Sequence, residues 1–189
     1  MLNHVMLDLE TFGTSSTAVV TTIGAVKFDP FSGAIGETFY MRLRDLERQQ
    51  SEYGRTVDAG TVRWWLQQDE ATRKEQYADM GNMVSTKVAL EEFSNFASCF
   101  DPGAGTPIKT YMWGNGADFD NMILGSLYDG AKMKKPWTYG ANRCYRTMKA
   151  MRKDIVQIRV GIHHNALDDA MTQALHLQKI IKEMRYAEV

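Results

Sequence analysis

Residues 5–10 read VMLDLE, and this alternation of apolar and acidic residues predicts a β-strand. Side chains two positions apart point to the same face of a strand, so Asp8 and Glu10 project together, away from the leucines beside them. Two carboxylates that converge in a central strand are destabilising unless protons or a cation neutralise them. The stretch therefore indicates a divalent-metal site, although a strand end that runs into solvent is the better explanation when the stretch is taken alone.

The segments that follow extend this strand into a sheet. Two strand patterns, 19–28 and 34–42, flank the turn sequence DPFSG at 29–33, so they are predicted to pair as an antiparallel hairpin. Ser85 is a candidate N-cap for a later helix. One further strand is predicted over 108–113, and helices over 57–66, 85–100, 118–128, 142–152 and 165–184. This order predicts an α/β fold in which helices cover both faces of a mixed sheet.

Length and composition favour one domain, residues 1–189, because 44% of 189 residues are hydrophobic and 24% are charged. No apolar run reaches the length that spans a bilayer, and no basic leader precedes the first strand, so a cytoplasmic protein without membrane association is expected. Cys99 and Cys144 are far apart, which favours free thiols over a disulfide or a zinc site.

Charge is distributed unevenly along the chain. The net charge is −1, yet residues 131–159, the basic segment, carry nine lysines and arginines against the single acid Asp154. A basic flank beside an acidic site fits a polyanionic substrate. A solvated helix face without a partner explains the segment equally well when the segment is considered alone.

The second acidic motif is GNGADFDN at 114–121, where a strand ends, glycines allow a tight turn and a helix begins. Loops at strand ends are frequent positions for functional side chains. Asp118 or Asp120 is therefore a candidate ligand, while capping of the helix N-terminus is the alternative role for either.

The third motif is HHNALDDA at 163–170, which places His164 five positions before Asp169 at a helix start. Histidine, with an unperturbed pKa of about 6.5, can take a proton from a metal-bound water. The alternative is that His164 and Asn165 cap the helix while Asp168 and Asp169 interact with its dipole.

The three motifs together point to one site, because their joint occurrence at strand ends and helix starts is far less probable than any one of them. Four carboxylates can hold two Mg²⁺ or Mn²⁺ ions about 3.5 to 4 Å apart, one activating water and one stabilising the leaving oxygen. Such a site hydrolyses phosphodiester bonds.

The motifs resemble those of a known family. D-x-E-T at 8–11, F-D at 119–120 and H-N-A-L-D-D-A at 164–170 are similar to the three Exo motifs of the DEDDh branch of DnaQ-like 3'-5' exonucleases. The segment WGNGADFDNMIL at 113–124 and the tryptophan pair 64–65 look closest to compact phage and bacterial members. The resemblance implies an RNase H-like fold, a five-stranded sheet of order 3-2-1-4-5, and release of 5'-mononucleotides from the 3' end of single-stranded RNA or DNA.

The resemblance also implies roles for individual residues. Its spacing favours His164 over His163 and Asp169 over Asp168, and it makes His164 the general base. The implied metal ligands are Asp8, Glu10, Asp120 and Asp169, with Asp118 as the alternative to Asp120 because the separation from Asn115 is one residue longer than usual. The expected substrate contacts are Thr11, Phe12, Asn115 and Arg146, with core packing as the alternative for Phe12.

Two other functions remain open at this level, a catalytically silent nucleic-acid-binding domain and an RNase H-like endonuclease. The preference for RNA or DNA is undetermined, because the sugar is read by the shape of the cleft. The resemblance raises a homodimer as one option for the quaternary structure. Trp64 and Trp65 cannot both be buried on one helix face. Either tryptophan can pack in the core, and the alternative for one of them is exposure near the cleft or at a subunit contact.

Overall fold

The computed structural model describes residues 1–77, 82–101, 103–116 and 118–186. The strands are β1 (His4–Thr11), β2 (Val20–Phe28), β3 (Ile35–Arg42), β4 (Cys99–Phe100), β5 (Pro107–Ile108), β6 (Tyr111–Gly114) and β7 (Asn142–Cys144). The α-helices are α1 (Leu46–Tyr53), α2 (Ala59–Leu66), α3 (Glu70–Tyr77), α4 (Thr86–Ala97), α5 (Asp120–Gly130), α6 (Tyr145–Met151) and α7 (Ala166–Tyr186), and a 3-10 turn spans Tyr139–Ala141. No helix among the described residues is both long and apolar enough to cross a membrane.

Five strands form a mixed sheet of order β3-β2-β1-β6-β7. The predicted β2–β3 hairpin is confirmed as an antiparallel pair, whereas β6 is parallel to β1 and β7 is parallel to β6. The observed order differs from the expected 3-2-1-4-5 because two short strands, β4 and β5, pair with each other in a separate sheet before the chain reaches β6. The single strand expected over 108–113 is accordingly divided between β5 and β6.

Two of the predicted helices differ from the structure by three residues at one end. The helix expected over 85–100 ends at Ala97 because Ser98 adopts an extended conformation, and Phe100 lies 56% exposed in β4. Ser85 does cap this helix, accepting a hydrogen bond from the Val88 amide. The segment predicted as a helix over 142–152 begins as strand β7, which pairs with β6, and becomes helical only at Tyr145.

The central strand β1 is covered on both faces of the sheet. Val5, Leu7 and Leu9 belong to a core shared with α4 and α5 on one face. On the other face Met6 packs with Ala170 and Leu177 of α7. Since alternate residues share a face, Asp8 and Glu10 lie on the α7 side, directly under the helix that carries the third motif.

A glycine allows α7 to approach the sheet closely. Gly24 lies opposite Asp8 in the β1–β2 ladder, and a Cβ atom built on it would be 2.2 Å from the carbonyl carbon of Ala166 and 2.3 Å from the amide of Leu167. The backbone of the first turn of α7 therefore rests on the backbone of β2. This contact brings the start of α7 next to the carboxylates of β1.

Gly24→Ala is expected to lower the free energy of unfolding by about 3 kcal/mol or more, because backbone atoms on both sides must move to admit the methyl group. The matched control is Gly125→Ala within α5, where the nearest atom to a new Cβ would be Lys135 Cδ at 3.6 Å. That change should be neutral or stabilising by about 0.5–1 kcal/mol, as is usual for a glycine in a helix. Chemical denaturation of both variants measures the difference, and equal stabilities would contradict the proposed close contact.

Candidate active site

A cleft of about 810 Å³ opens at the carboxyl ends of the parallel strands β1 and β6, beside the N-terminus of α7. The order of the sheet reverses at this place, because β2 flanks β1 on one side and β6 flanks it on the other. Ligands of open α/β sheets bind in such crevices. Asp8, Glu10, His164 and Asp169 all line the cleft.

Asp8 is the carboxylate most affected by its neighbours. Removal from water raises its pKa well above the usual value for aspartate, and the charges of Asp120, Glu10 and Asp169 raise it further, in that order. A hydrogen bond of 2.7 Å from Gln173 Nε2 to Asp8 Oδ1 acts in the opposite direction. Asp8 is thus close enough to the other three predicted ligands to be in electrostatic conflict with each of them.

Asp120 connects the ends of two strands. Its side chain is buried, Oδ1 accepts a hydrogen bond of 3.2 Å from the Leu9 amide, and Oδ2 accepts one of 2.7 Å from the Asn115 amide. The β1–β6 ladder ends at Met6, and beyond this point the Asp120 carboxylate, and not a neighbouring strand, accepts the hydrogen bond of the Leu9 amide. Burial raises the pKa of Asp120 to about 7, although both amides and the Arg146 charge favour the ionised form.

The structure separates the two candidate aspartates of the second motif. Asp118 is exposed to solvent, whereas Asp120 is buried and is the nearby charge that acts most strongly on the pKa of Asp8. The geometry therefore brings Asp120, and not Asp118, to the carboxylate cluster.

The third motif places His164 and Asp169 at the entrance to α7. Potential ligand atoms of Glu10, His164 and Asp169 lie within 4.8 Å of one another. The His164 amide donates to Asp169 Oδ2 at 3.0 Å, and His164 has a left-handed backbone with φ of 62°. Asn165 caps the helix, because its Oδ1 accepts from the amides of Leu167 and Asp168 at 3.1 Å each.

Asp168, which the family spacing does not select as a ligand, instead stabilises the loop before α7. Its Oδ2 accepts a hydrogen bond of 2.7 Å from the Ile162 amide, in the loop that leads to α7. Gly161 in this loop has φ of 69°, and a Cβ built on it would be 2.1 Å from the Asp168 carboxyl carbon. Asp168 therefore holds the loop against the helix, while Asp169 lines the cleft.

Aromatic rings surround His164. Its ring centroid is 4.9 Å from that of Trp64, 5.7 Å from that of Trp65 and 4.0 Å from that of His163, all with edge-on geometry. Burial lowers the pKa of His164 and the charge of His163 lowers it further, while Asp169 and Asp69 oppose the shift. The imidazole is therefore neutral near pH 7 and able to accept a proton.

The two tryptophans of α2 have different environments. Trp65 is 2% exposed and donates from Nε1 to the carbonyl oxygen of Thr11 at 2.9 Å, so it belongs to the interior. Trp64 is 42% exposed and lines the cleft beside His164. The exposed member of the pair is thus at the cleft, one of the two places considered from the sequence.

The donor set suits divalent cations that prefer oxygen ligands. Asp8, Glu10 and Asp169 line one cleft, and Asp120 lies beside Asp8. The charges of Asp120, Glu10 and Asp169 raise the pKa of Asp8, so positive charge at this place would relieve their repulsion. Without a cation, protons must neutralise part of the cluster. The residues present therefore fit a divalent-metal site.

The expected substrate contacts divide into two groups. Thr11 and Asn115 line the cleft, and Thr11 Oγ1 is held by a hydrogen bond of 2.6 Å to the Gly13 carbonyl oxygen. The Phe12 ring instead stacks on Tyr77, with centroids 5.9 Å apart, and Phe12 is absent from the described cleft lining. Arg146, in the first turn of α6, is exposed and also lies outside that lining, although its charge acts on Asp120.

The basic segment reaches the cleft through only part of its length. Lys149 and Arg159 line the cleft, and Arg159 forms an ion pair with Asp169 and donates to the Ile162 carbonyl oxygen. Arg152 instead pairs with Asp154 at 2.7 Å, and Arg143 lies over the Tyr111 ring at 4.6 Å. The segment is therefore not a uniform phosphate-binding surface.

Among the polar residues of the cleft that the sequence analysis did not single out are Gln173 and Arg159. Gln173 follows Asp169 by four positions on α7, so helical spacing alone places both on one face. That spacing would have identified Gln173. Nothing in the sequence distinguishes Arg159 from the other cations of the basic segment, because its place depends on the loop before α7.

The model of one protein family, the 3'-5' exoribonuclease Rv2179c-like domain, matches residues 3–181. The chain belongs to this family. Membership confirms the resemblance to 3'-5' exonucleases and the expected activity, hydrolysis of phosphodiester bonds from the 3' end. No curated protein matches the chain.

Solved structures show the same fold at low sequence identity. The nuclease domain of 3'hExo, a DEDDh family member bound to rAMP, is 12% identical with a TM-score of 0.59, covering 95% of this chain and 92% of that one. E. coli exonuclease I in complex with a dT13 oligonucleotide is 14% identical with a TM-score of 0.62. The match covers 97% of this chain but only 42% of the exonuclease I chain. Exonuclease X with 5' overhanging duplex DNA is 17% identical with a TM-score of 0.52, and the match covers 95% of this chain and 92% of the exonuclease X chain.

Asp8→Asn is expected to stabilise the metal-free protein at about pH 8, because it removes one charge from the cluster and retains an acceptor for Gln173. The folded state raises the pKa of Asp8 and Asp120, so their contribution to stability is complete below the ordinary value of 3.8 and is lost as the pH rises, for Asp120 through its raised pKa of about 7. In the presence of a chelator at about pH 8, the melting temperature of Asp8→Asn should exceed that of the wild type by about 2–4 °C, which corresponds to ~1 kcal/mol in the free energy of unfolding. The gap should narrow as the pH falls and close near the ordinary aspartate pKa of 3.8.

Asp118→Asn is the matched control, since Asp118 is exposed outside the cluster. It should melt with the wild type at both pH values. An Asp8→Asn variant that melts at or below the wild-type temperature at about pH 8 would show that the carboxylates do not repel one another as described.

Proposed function

We propose that this protein is a 3'-5' exoribonuclease that shortens single-stranded RNA one nucleotide at a time and uses two Mg²⁺ or Mn²⁺ ions. The observation that carries the proposal is the convergence of Asp8, Glu10, Asp169 and His164 on one cleft, with Asp120 behind Asp8. The proposal specifies the sugar, the metal and the residue roles within the activity of the family.

The general base is His164. Its lowered pKa keeps the imidazole neutral, and the rings of Trp64, Trp65 and His163 restrict its position at the cleft. Water attacks the terminal phosphorus and loses its proton to His164. The bond from phosphorus to the 3' oxygen of the preceding nucleotide breaks, that oxygen takes up a proton from solvent water to become a 3' hydroxyl, and the last nucleotide leaves with a 5' phosphate.

Asp8, Glu10, Asp120 and Asp169 would hold the cations. Divalent cations bound there would lower the pKa of the attacking water and stabilise charge on the leaving oxygen. The chain itself fixes the ligands before substrate arrives: two backbone amides hold Asp120, Gln173 holds Asp8, and the His164 amide holds Asp169.

Substrate binding is assigned to the walls of the cleft. Thr11 and Asn115 lie close to the carboxylates, and Lys149 and Arg159 supply positive charge on the wall formed by the basic segment. Trp64 presents a partly exposed ring beside His164, where the base of a terminal nucleotide can stack. Because Arg146 is exposed near the end of β6, we assign it to phosphates outside the cleft.

The family description is the support for RNA. Among the similar structures one is bound to rAMP and another to a dT13 oligonucleotide, so the shared fold does not distinguish the sugars. The rival of a silent nucleic-acid-binding domain is disfavoured, because carboxylates facing a polyanion weaken binding unless cations are held between them.

Asp8→Asn and His164→Ala should each lose at least about 100-fold in turnover while remaining folded, because a positioned general base or cation ligand contributes this much to the rate. Asp118→Asn is the control for the first change and should keep wild-type activity, since its carboxylate is exposed. Turnover of 5'-labelled RNA by the purified variants measures this. Near-normal cleavage by either variant would refute the assigned roles.

The substrate is tested with matched 5'-labelled RNA and DNA oligonucleotides in Mg²⁺ or Mn²⁺. The expected result is a ladder that shortens from the 3' end, faster for RNA than for DNA, and no cutting of a closed RNA circle. Cleavage of the circle would establish an endonuclease, and faster digestion of DNA would overturn the sugar preference.

A further inference from the structure

Gln173 is a buried glutamine whose amide faces a carboxylate of the catalytic cluster. It is 4% exposed on α7, one turn after Asp169, and its Nε2 donates to Asp8 Oδ1 at 2.7 Å. A carboxyl oxygen that carries no proton accepts hydrogen bonds, so Asp8 Oδ1 takes the NH₂ end of the amide as its partner. We propose that Gln173 is a positioning residue that holds Asp8 in the orientation required for cation binding.

Other buried glutamines of the described chain do not bond to a carboxylate: Gln76 pairs with the Thr21 hydroxyl, and two more bond to the backbone. Gln49 bonds to both the amide and the carbonyl of Val20, and Gln178 donates to the carbonyl oxygens of Asp29 and Ala34. These side chains satisfy backbone groups and fasten loops or strands. Gln173 instead donates its hydrogen bond to an acidic side chain of the active site.

The remaining atom of the Gln173 amide supports a functional role. Its Oε1 is buried and has no hydrogen-bond partner among the described residues, although Gln173 lines the cleft. A glutamine kept only for stability would be expected to satisfy both ends of its amide, as Gln49 does. Among the described residues Gln173 thus uses only its donor, and that donor holds Asp8.

The fold explains how Gln173 reaches Asp8. Gly24 lies opposite Asp8 and lets the backbone of Ala166 and Leu167 approach the sheet, so α7 passes directly above β1. Helical spacing then places Gln173 on the same face as Asp169. One helix therefore supplies both a predicted ligand and the residue that orients another.

A neutral donor is suited to this position. It binds one oxygen of Asp8 without adding positive charge that would oppose a cation, in contrast to Arg159, which pairs with Asp169. Groups that orient metal ligands in this way typically change metal affinity by about 10–100-fold when they are removed. The same range is expected here.

The test replaces Gln173 by methionine, which is similar in length and volume but has no amide donor. Calorimetric titration of Mn²⁺ should show about 10–100-fold weaker binding to Gln173→Met than to the wild type. Gln178→Met is the matched control on the same helix, since it removes a buried amide that contacts backbone only. It should lower the melting temperature and leave Mn²⁺ affinity unchanged.

Turnover supplies an independent readout. High Mn²⁺ concentration should restore kcat of Gln173→Met towards the wild-type value, with the KM for RNA unchanged, because the defect lies in cation binding. Wild-type Mn²⁺ affinity in Gln173→Met would overturn the inference, and so would a kcat that stays low at saturating Mn²⁺.

The inference rests on the proposed function, and the titration separates the two failures. Absence of Mn²⁺ binding in the wild type would contradict the proposed metal-dependent mechanism itself. Tight binding in the wild type together with equal binding in Gln173→Met would contradict only the role of Gln173.

Discussion

Repulsion among carboxylates at the end of β1 is the constraint on which this structure depends. Asp8 is removed from water and lies close to Asp120, Glu10 and Asp169, so its pKa is raised by burial and by three like charges. Such a cluster is unfavourable in a protein that needs only stability. Divalent cations bind several oxygen ligands at once, so cations held by the cluster would offset the repulsion among its carboxylates.

The surrounding elements are arranged to keep the carboxylates in place despite their repulsion. Asp120 accepts two backbone amides where the β1–β6 ladder has ended, and α7 rests on the backbone of Gly24. Asn165 caps α7 and Asp168 fixes the preceding loop, so His164 is held at the cleft entrance. These hydrogen bonds fix the positions of the groups that surround the site.

The sequence predicted the features that depend on local chemistry. Alternation identified β1, the DPFSG turn identified the β2–β3 hairpin, and the strand-end motifs brought together Asp8 and Asp169 from opposite ends of the chain. Short elements were less predictable: α1 and α3 have eight residues each and polar sequences, and β7 is recognised only by its pairing with β6. Similarly, the stacking of Phe12 on Tyr77 and the difference between Trp64 and Trp65 follow from tertiary packing that periodicity does not encode.

The most direct test of the carboxylate site is a crystal structure of the protein grown with Mn²⁺, using anomalous scattering to locate the ions. We expect two anomalous peaks about 3.5–4 Å apart, within coordination distance of Asp8, Glu10, Asp120 and Asp169. We expect further that Gln173 keeps its hydrogen bond to Asp8 when the ions are bound. Strong peaks elsewhere, with none at these four carboxylates, would contradict the central claim.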